Sequence, residues 1–199
     1  MKIGLIPGRY QPPTIAHEEI INKAAEENDI VYVYIIGGGS GKQARDPKKN
    51  PIPVEKREQL LNKIVIHSNV KVKIFPMANL DKIGDEIADE ILDLDNEIVI
   101  YAGTDRSTYQ EQLKYINDPE KSGGKSKRFE ARIEVIRRTA DDVSATEVRD
   151  AIKRGDRETY ERLTPDAIHD DFDALQGYIT EETYSVFDEL ISEISKKSL

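Results

Sequence analysis

GRYQPPTIAH, residues 8–17, stands between the apolar run KIGLI at 2–6 and a segment at 15–27 whose apolar residues recur at helical spacing. A strand before this stretch and a helix after Thr14 put the loop at the carboxyl end of a strand, where open α/β sheets bind their ligands. Thr14 is a good N-cap, so the amides of Ile15, Ala16 and His17 open the helix without intrahelical partners. Such a start attracts phosphate. Thr14 and His17, three residues apart, share the first turn, where both side chains can donate to one cluster of oxygens. Pro12 and Pro13 stiffen the approach and hold Arg9 and Gln11 on a fixed segment, while Gly8 lets backbone come close to a ligand. Taken alone, the stretch also reads as an ordinary strand-to-helix turn with a polar histidine in the first turn.

Outward from this loop, short β-branched or aromatic runs recur at 2–6, 30–36 (IVYVYII), 70–75 (VKVKIF), 97–101 (EIVIY) and 132–136 (RIEVI). Helical spacing fills the intervals: 15–27 through Ile20, Ile21 and Ala24, 53–66 through Leu60, Leu61, Ile64 and Val65, 80–93 through Ile83, Ile87 and Ile91, and a less regular stretch near 105–116. Alternation of strand and helix predicts right-handed crossovers and an α/β fold, a Rossmann-like, doubly wound, parallel five-stranded sheet. After the fifth strand only helix is predicted, at 144–154, 156–163 and 179–195. The chain reads as one domain over 1–199, with 156–199 a helical C-terminal extension of it. KSGGKSK at 121–127 has loop composition, and no internal repeat suggests a solenoid.

The net charge of −9 disfavours a general nucleic-acid binder, since affinity for a polyphosphate backbone comes mainly from clustered Lys and Arg. The distribution says more. Residues 42–73 hold nine basic and three acidic side chains, and 121–138 hold seven and two, whereas 166–199 hold nine acids against two lysines. Two basic segments in an acidic chain suit a compact anion such as a nucleotide, or equally form solvated faces of a charge-rich protein. No 18-residue apolar stretch and no signal-peptide pattern is present, and cysteine is absent, so the expectation is a cytoplasmic protein without a membrane partner.

GGGSGKQ at 37–43 invites a P-loop reading, but Ile36 and Gln43 stand where Gly and Ser or Thr are needed. What remains is a loop after the second strand with Lys42 near bound phosphates. His17, His67 and His169 lack the spacing of a zinc site, so any metal is expected to arrive with a nucleotide.

A second helix start lies at VSATEVR, 143–149, where Ser144 can cap, Thr146 can donate from the first turn, and Arg149 lies on the adjacent face. Alone it also reads as a capped helix with a surface arginine, since Ser144 and Glu147 have capping-box spacing. Together the two stretches resemble the paired signatures of the nucleotidylyltransferases, GRFQPxHxGH or TxGH and ISSTxxR, and in particular nicotinamide mononucleotide adenylyltransferases of archaeal type. Thr14 and His17 match the two polar positions of the first signature. Ala16 departs from its glycine, Tyr10 from its Phe, and Ala145 from the second serine of the other. NPIPVEKRE at 50–58 and IYAGTDR at 100–106 resemble further elements in the family's order, so the likeness runs over about 3–175.

The resemblance implies adenylyl transfer from ATP to nicotinamide mononucleotide, giving NAD and pyrophosphate, with Mg²⁺ carried on the nucleotide. It puts His17, Thr14 and Arg149 at the chemistry. Around the nucleotide it puts Gly8, Arg9, Tyr10, Gln11, Ser144 and Thr146, with Arg57 and Lys42 toward phosphate. Gly103 and Asp105 fall toward the acceptor, although Asp105 also reads as a helix N-cap. Relatives that transfer adenylyl to phosphopantetheine, or cytidylyl to polyol or choline phosphates, supply alternative acceptors and CTP an alternative nucleotide. The absence of tryptophan removes the usual stacking partner of a nicotinamide ring. A nucleotide-binding regulator without turnover is the reading from another class, and self-association is left open.

Overall fold

Alternating apolar residues make the strands of this chain two-faced. In β2 (Ile30–Ile36), Val31, Val33 and Ile35 join one buried cluster, and Tyr32, Tyr34 and Ile36 join another. The computed structural model describes residues 1–36, 50–75, 96–103, 129–136 and 143–180. β1 (Lys2–Gly8), β2, β3 (Val70–Phe75), β4 (Asn96–Gly103) and β5 (Phe129–Ile136) form one sheet, all neighbours parallel, in the order β3-β2-β1-β4-β5. This is the predicted α/β, Rossmann-like parallel sheet. β1, β4 and β5 run longer than their apolar runs, because ladder hydrogen bonds use backbone: Asn96 and Glu97 pair with Phe129 and Glu130 whatever their side chains.

The order reverses between β1 and β4, and there the two strands part early. Their pairing ends at Leu5 and Ile100, whereas β1 stays paired with β2 as far as Gly8 and Ile35. A crevice beyond the strand ends at such a reversal is where this class of sheet takes ligands.

Helices α1 (Ile15–Glu27) and α2 (Val54–Ile64) occupy their predicted intervals and bury Ile21, Ala24 and Ala25, and Leu60, Leu61 and Ile64. α3 (Ala145–Arg154) buries Val148, Ala151 and Ile152 and ends at Gly155, whose φ of 70° closes the last turn. The amides of Gly155 and Asp156 then reach the carbonyls of Ile152 and Ala151. Asp156 in turn caps α4 (Arg157–Leu163) by accepting from the Thr159 amide.

A 3₁₀ turn (Asp166–Asp171) and α5 (Phe172–Ile179) follow, within the predicted helical extension but between the helices assigned in it. Ile168, Phe172, Leu175 and Ile179 are buried at helical spacing, but three aspartates interleave with them and mask the period. Asp171, buried, accepts from Lys56 Nζ at 2.8 Å and Lys63 Nζ at 2.7 Å, which ties this segment to α2. The helices predicted at 80–93 and near 105–116, the loop at 121–127 and most of 179–195 lie outside the described residues. Among the described residues no helix is long and apolar enough to cross a membrane.

Candidate functional site

The loop after β1 is held from inside. The Gln11 side chain makes two hydrogen bonds with the backbone of Ile52, its amide nitrogen donating to the carbonyl and its oxygen accepting from the N–H, each at 3.0 Å. Arg57 Nη1 donates to the Arg9 carbonyl at 2.7 Å and the Ile36 carbonyl at 3.1 Å. Arg149 Nη1 donates to the Gln11 carbonyl at 2.7 Å. Three residues from two distant segments therefore grip two carbonyls and one side chain of a single turn, which also contains a cis Gln11–Pro12 peptide.

At the start of α1, His17 Nδ1 meets the Thr14 amide at 3.0 Å and the Thr14 hydroxyl at 2.8 Å. A backbone N–H can only donate, so Nδ1 is the acceptor and the proton of the neutral ring sits on Nε2. Thr14 is fully buried, so its hydroxyl serves His17. Where the sequence reading had two parallel donors, Thr14 instead bonds to His17 and sets its tautomer. Gly8 also differs from its expected role. A Cβ there would lie 2.6 Å from Tyr10 Cζ, so the glycine makes room for the tyrosine ring. Tyr10 and Gln11 are 1% and 2% exposed, backbone included, so both support the loop from within.

The second start, at α3, matches its sequence reading. The Ser144 hydroxyl accepts from the Thr146 amide at 3.1 Å, and Arg149 Nη2 donates to Thr146 Oγ1 at 2.9 Å. Arg149 thus bridges the two helix starts, one nitrogen on Gln11 and the other on Thr146.

Three arginines sit close together here. Burial lowers the pKa of Arg149 and the nearby Arg9 lowers it further. Burial likewise pushes Arg57 down to about 10, with Glu55 opposing and Arg9 adding to the fall. Among the described residues none of the three forms an ion pair. Arg57 is 2% exposed and its Nε is buried without a partner, so it is a strut under the loop, where the sequence suggested a direct reach toward phosphate. Arg9, by contrast, is exposed. Gly103 ends β4, paired with Ile136 at the last position of the β4–β5 ladder. Lys42 and Asp105 lie outside the described residues. Among those described, no cluster of three or more His, Asp or Glu could hold a metal ion.

What sequence reasoning missed is mostly backbone. The grip of Gln11 on Ile52 and of Arg57 on Arg9 carry no residue-type signature at the receiving end, although the distance in the chain from 11 to 52 is spanned by one amide side chain.

A family model described as cytidylyltransferase-like matches residues 5–151. Phosphopantetheine adenylyltransferase of Clostridium perfringens is 32% identical over 93 residues, 46% of this chain and 52% of that protein. The chain spans about half the length of the curated relatives it matches. Among solved structures, NadR protein in complex with NR superposes with a TM-score of 0.58 at 20% identity, over 84% of this chain and 43% of that one. A bifunctional NMN adenylyltransferase/ADP ribose pyrophosphatase from Francisella tularensis, complexed with AMP and a Mn ion, gives a TM-score of 0.58 at 19% identity, over 96% of this chain and 55% of that one. At these identities the structures attest the fold.

Proposed function

The chain belongs to the cytidylyltransferase-like family, and from that premise we propose that it is an adenylyltransferase that joins AMP from ATP to nicotinamide mononucleotide, forming NAD and pyrophosphate. The observation that carries the reading is the junction of two helix starts through Arg149, with Arg9 near both it and Arg57, and with no ion pair on any of the three among the described residues. Clustered cations and helix-start amides at the reversal point of a parallel sheet suit a polyphosphate.

In this reading an oxygen of the acceptor's phosphate attacks the α-phosphorus in line. A new P–O bond forms as the α–β bridging bond breaks, and pyrophosphate leaves with the electron pair. The reaction needs no nucleophile from the protein, only positioning and stabilisation of charge. His17 Nε2–H donates to the α-phosphate, with Thr14 holding the tautomer. Arg9 and Arg149 bind the triphosphate, while Ser144 and Thr146 shape the second helix start. Mg²⁺ would come with the nucleotide and neutralise phosphate charge, because it retains waters and prefers substrate phosphates to a protein cage. The amide and guanidinium donors gathered here fit phosphate oxygens rather than the ion itself.

The likeness of GRYQPPTIAH and VSATEVR to nicotinamide mononucleotide adenylyltransferases supports the acceptor, as does the NMN adenylyltransferase activity in the name of the Francisella tularensis neighbour. The stretch that is 32% identical to phosphopantetheine adenylyltransferase favours phosphopantetheine as the second reading. Incubation with Mg²⁺, ATP and nicotinamide mononucleotide, with NAD and pyrophosphate followed by chromatography, tests the first. NAD formation that His17→Ala and Arg149→Ala both abolish supports it. No NAD, with adenylyl transfer to phosphopantetheine, moves the assignment to the second. No transfer of adenylyl or cytidylyl to any phosphorylated acceptor overturns the enzymatic reading.

A further inference from the structure

Gln11 spends both its side chain and its main chain on other segments. The side-chain amide is matched to the backbone of Ile52 as one strand residue is matched to another, with Nε2 donating to the carbonyl and Oε1 accepting from the N–H, each at 3.0 Å. Ile52 is 1% exposed and lies in the same buried cluster as Leu60 of α2 and Val148 of α3, so it is a fixed post. The Gln11 carbonyl in turn accepts from Arg149 Nη1 at 2.7 Å, while Arg149 Nη2 donates to Thr146 Oγ1 at 2.9 Å. An arginine held at one nitrogen keeps much of its rotamer freedom, whereas two holds fix the plane of its fork. The hold on Thr146 lies within Arg149's own helix. The Gln11 carbonyl is what anchors the fork to the first loop.

That carbonyl needs support of its own. Pro12 and Pro13 follow it and have no N–H, so the next two residues cannot pin the turn by donating. Arg57 holds a carbonyl two residues earlier, that of Arg9. We propose that Gln11 is a positioning residue for Arg149: its amide, locked to Ile52, sets the carbonyl that holds the guanidinium between the two helix starts. The consequence for turnover rests on the nucleotidyl-transfer reading, whereas the placement of the guanidinium does not.

The experiment uses the full chain with ¹⁵N-labelled arginine, and Arg149 and Arg57 are assigned by their loss in Arg149→Lys and Arg57→Lys. In wild type the Nη protons of Arg149 should give separate, slowly exchanging signals. Gln11→Met, which keeps the length of the side chain and removes both bonds, is checked for native circular dichroism and should merge or broaden them. Arg57, bonded to Arg9 and Ile36, should be unchanged and serves as the control. If Gln11→Met misfolds, Gln11→Glu, which keeps the acceptor for the Ile52 N–H, takes its place. Broadening of both arginines or of neither, or signals already merged in wild type, overturns the proposal. In the active enzyme Gln11→Met should lower kcat/KM about tenfold or more, but less than about twofold when made on Arg149→Ala. Equal losses on the two backgrounds would mean that Gln11 does not act through Arg149. Should the wild-type protein transfer nothing, the proposed reaction falls, and the spectra still decide the role of Gln11.

Discussion

Thr14 holds His17 by two bonds that end on the same nitrogen, the amide at 3.0 Å and the hydroxyl at 2.8 Å from Nδ1. The ring that results presents its proton at Nε2. Loss of one such donor to a developing oxyanion costs about 10²-fold or more in turnover, so His17→Ala should fall by that factor and keep a native circular dichroism spectrum. Thr14→Ser retains both bonds and should stay within about threefold of wild type, whereas Thr14→Val removes the hydroxyl. It should lose on the order of tenfold in kcat, with about 1 kcal/mol of stability for the weakened helix start. Steady-state kinetics beside urea titration separates the two effects. Wild-type turnover in His17→Ala would remove the histidine from the mechanism.

Arg149 reaches Gln11 O with one guanidinium nitrogen and Thr146 Oγ1 with the other. A lysine has the charge but one nitrogen, and cannot span both. Arg149→Lys should therefore behave nearly as badly as Arg149→Ala, with roughly 10²-fold lower kcat/KM in each. If lysine restores more than about a third of the activity, charge alone is the contribution and the bridge between helix starts is incidental.

How far the fold and site could be read in advance follows from where the information sits. The runs at 30–36 and 70–75 became strands at those very bounds, since β-branched and aromatic residue types mark a strand of that length. The capped starts at Thr14 and Ser144 were legible for the same reason. The resemblance directs Arg57 toward phosphate, and nothing in EKRE marks it as the basic residue that turns inward, where it meets the Arg9 and Ile36 carbonyls. Gly8 and Tyr10 each looked like ligand contacts, but their dependence on one another arises only once the chain turns at Tyr10, with φ 50°. The Asp171 clamp joins residues 115 and 108 positions apart, a relation no local pattern encodes.

That clamp sets an acid response. Burial works against the charge on Asp171, but the hydrogen bonds from Lys56 and Lys63 outweigh it and hold the carboxyl below its ordinary 3.8. A depressed folded value means stability that is present above the unfolded pKa and is lost as pH falls through the folded one. Asp171→Asn should cost about 2 kcal/mol near neutrality, because the side chain of Lys56 is only 15% exposed and loses its counter-charge. Lys63→Met should cost less than about 1 kcal/mol, since that lysine is 44% exposed. Urea midpoints of wild type and Asp171→Asn should converge as the pH falls from above 3.8 to below it. A gap that stays constant across that range would mean the carboxylate charge is not what binds the C-terminal segment to α2.

Gly8 and Tyr10 form a pair whose coupling is directly measurable. A Cβ on Gly8 would fall 2.6 Å from Cζ, 2.8 Å from Cε2 and 3.0 Å from Cε1 of the tyrosine ring, a face-on collision that no rotation of the ring about its own axis relieves. The ring cannot withdraw easily, because its hydroxyl is bonded to Ile6 O and its flank faces His17. Gly8→Ala should therefore cost about 1–3 kcal/mol, the usual range for overpacking a filled interior. Tyr10→Leu removes the rigid ring and leaves a smaller, pliable neighbour, so the same Gly8→Ala change made on that background should cost at least about 1 kcal/mol less. Strict additivity of the two changes in urea denaturation would show that the glycine is required for some reason other than the ring above it.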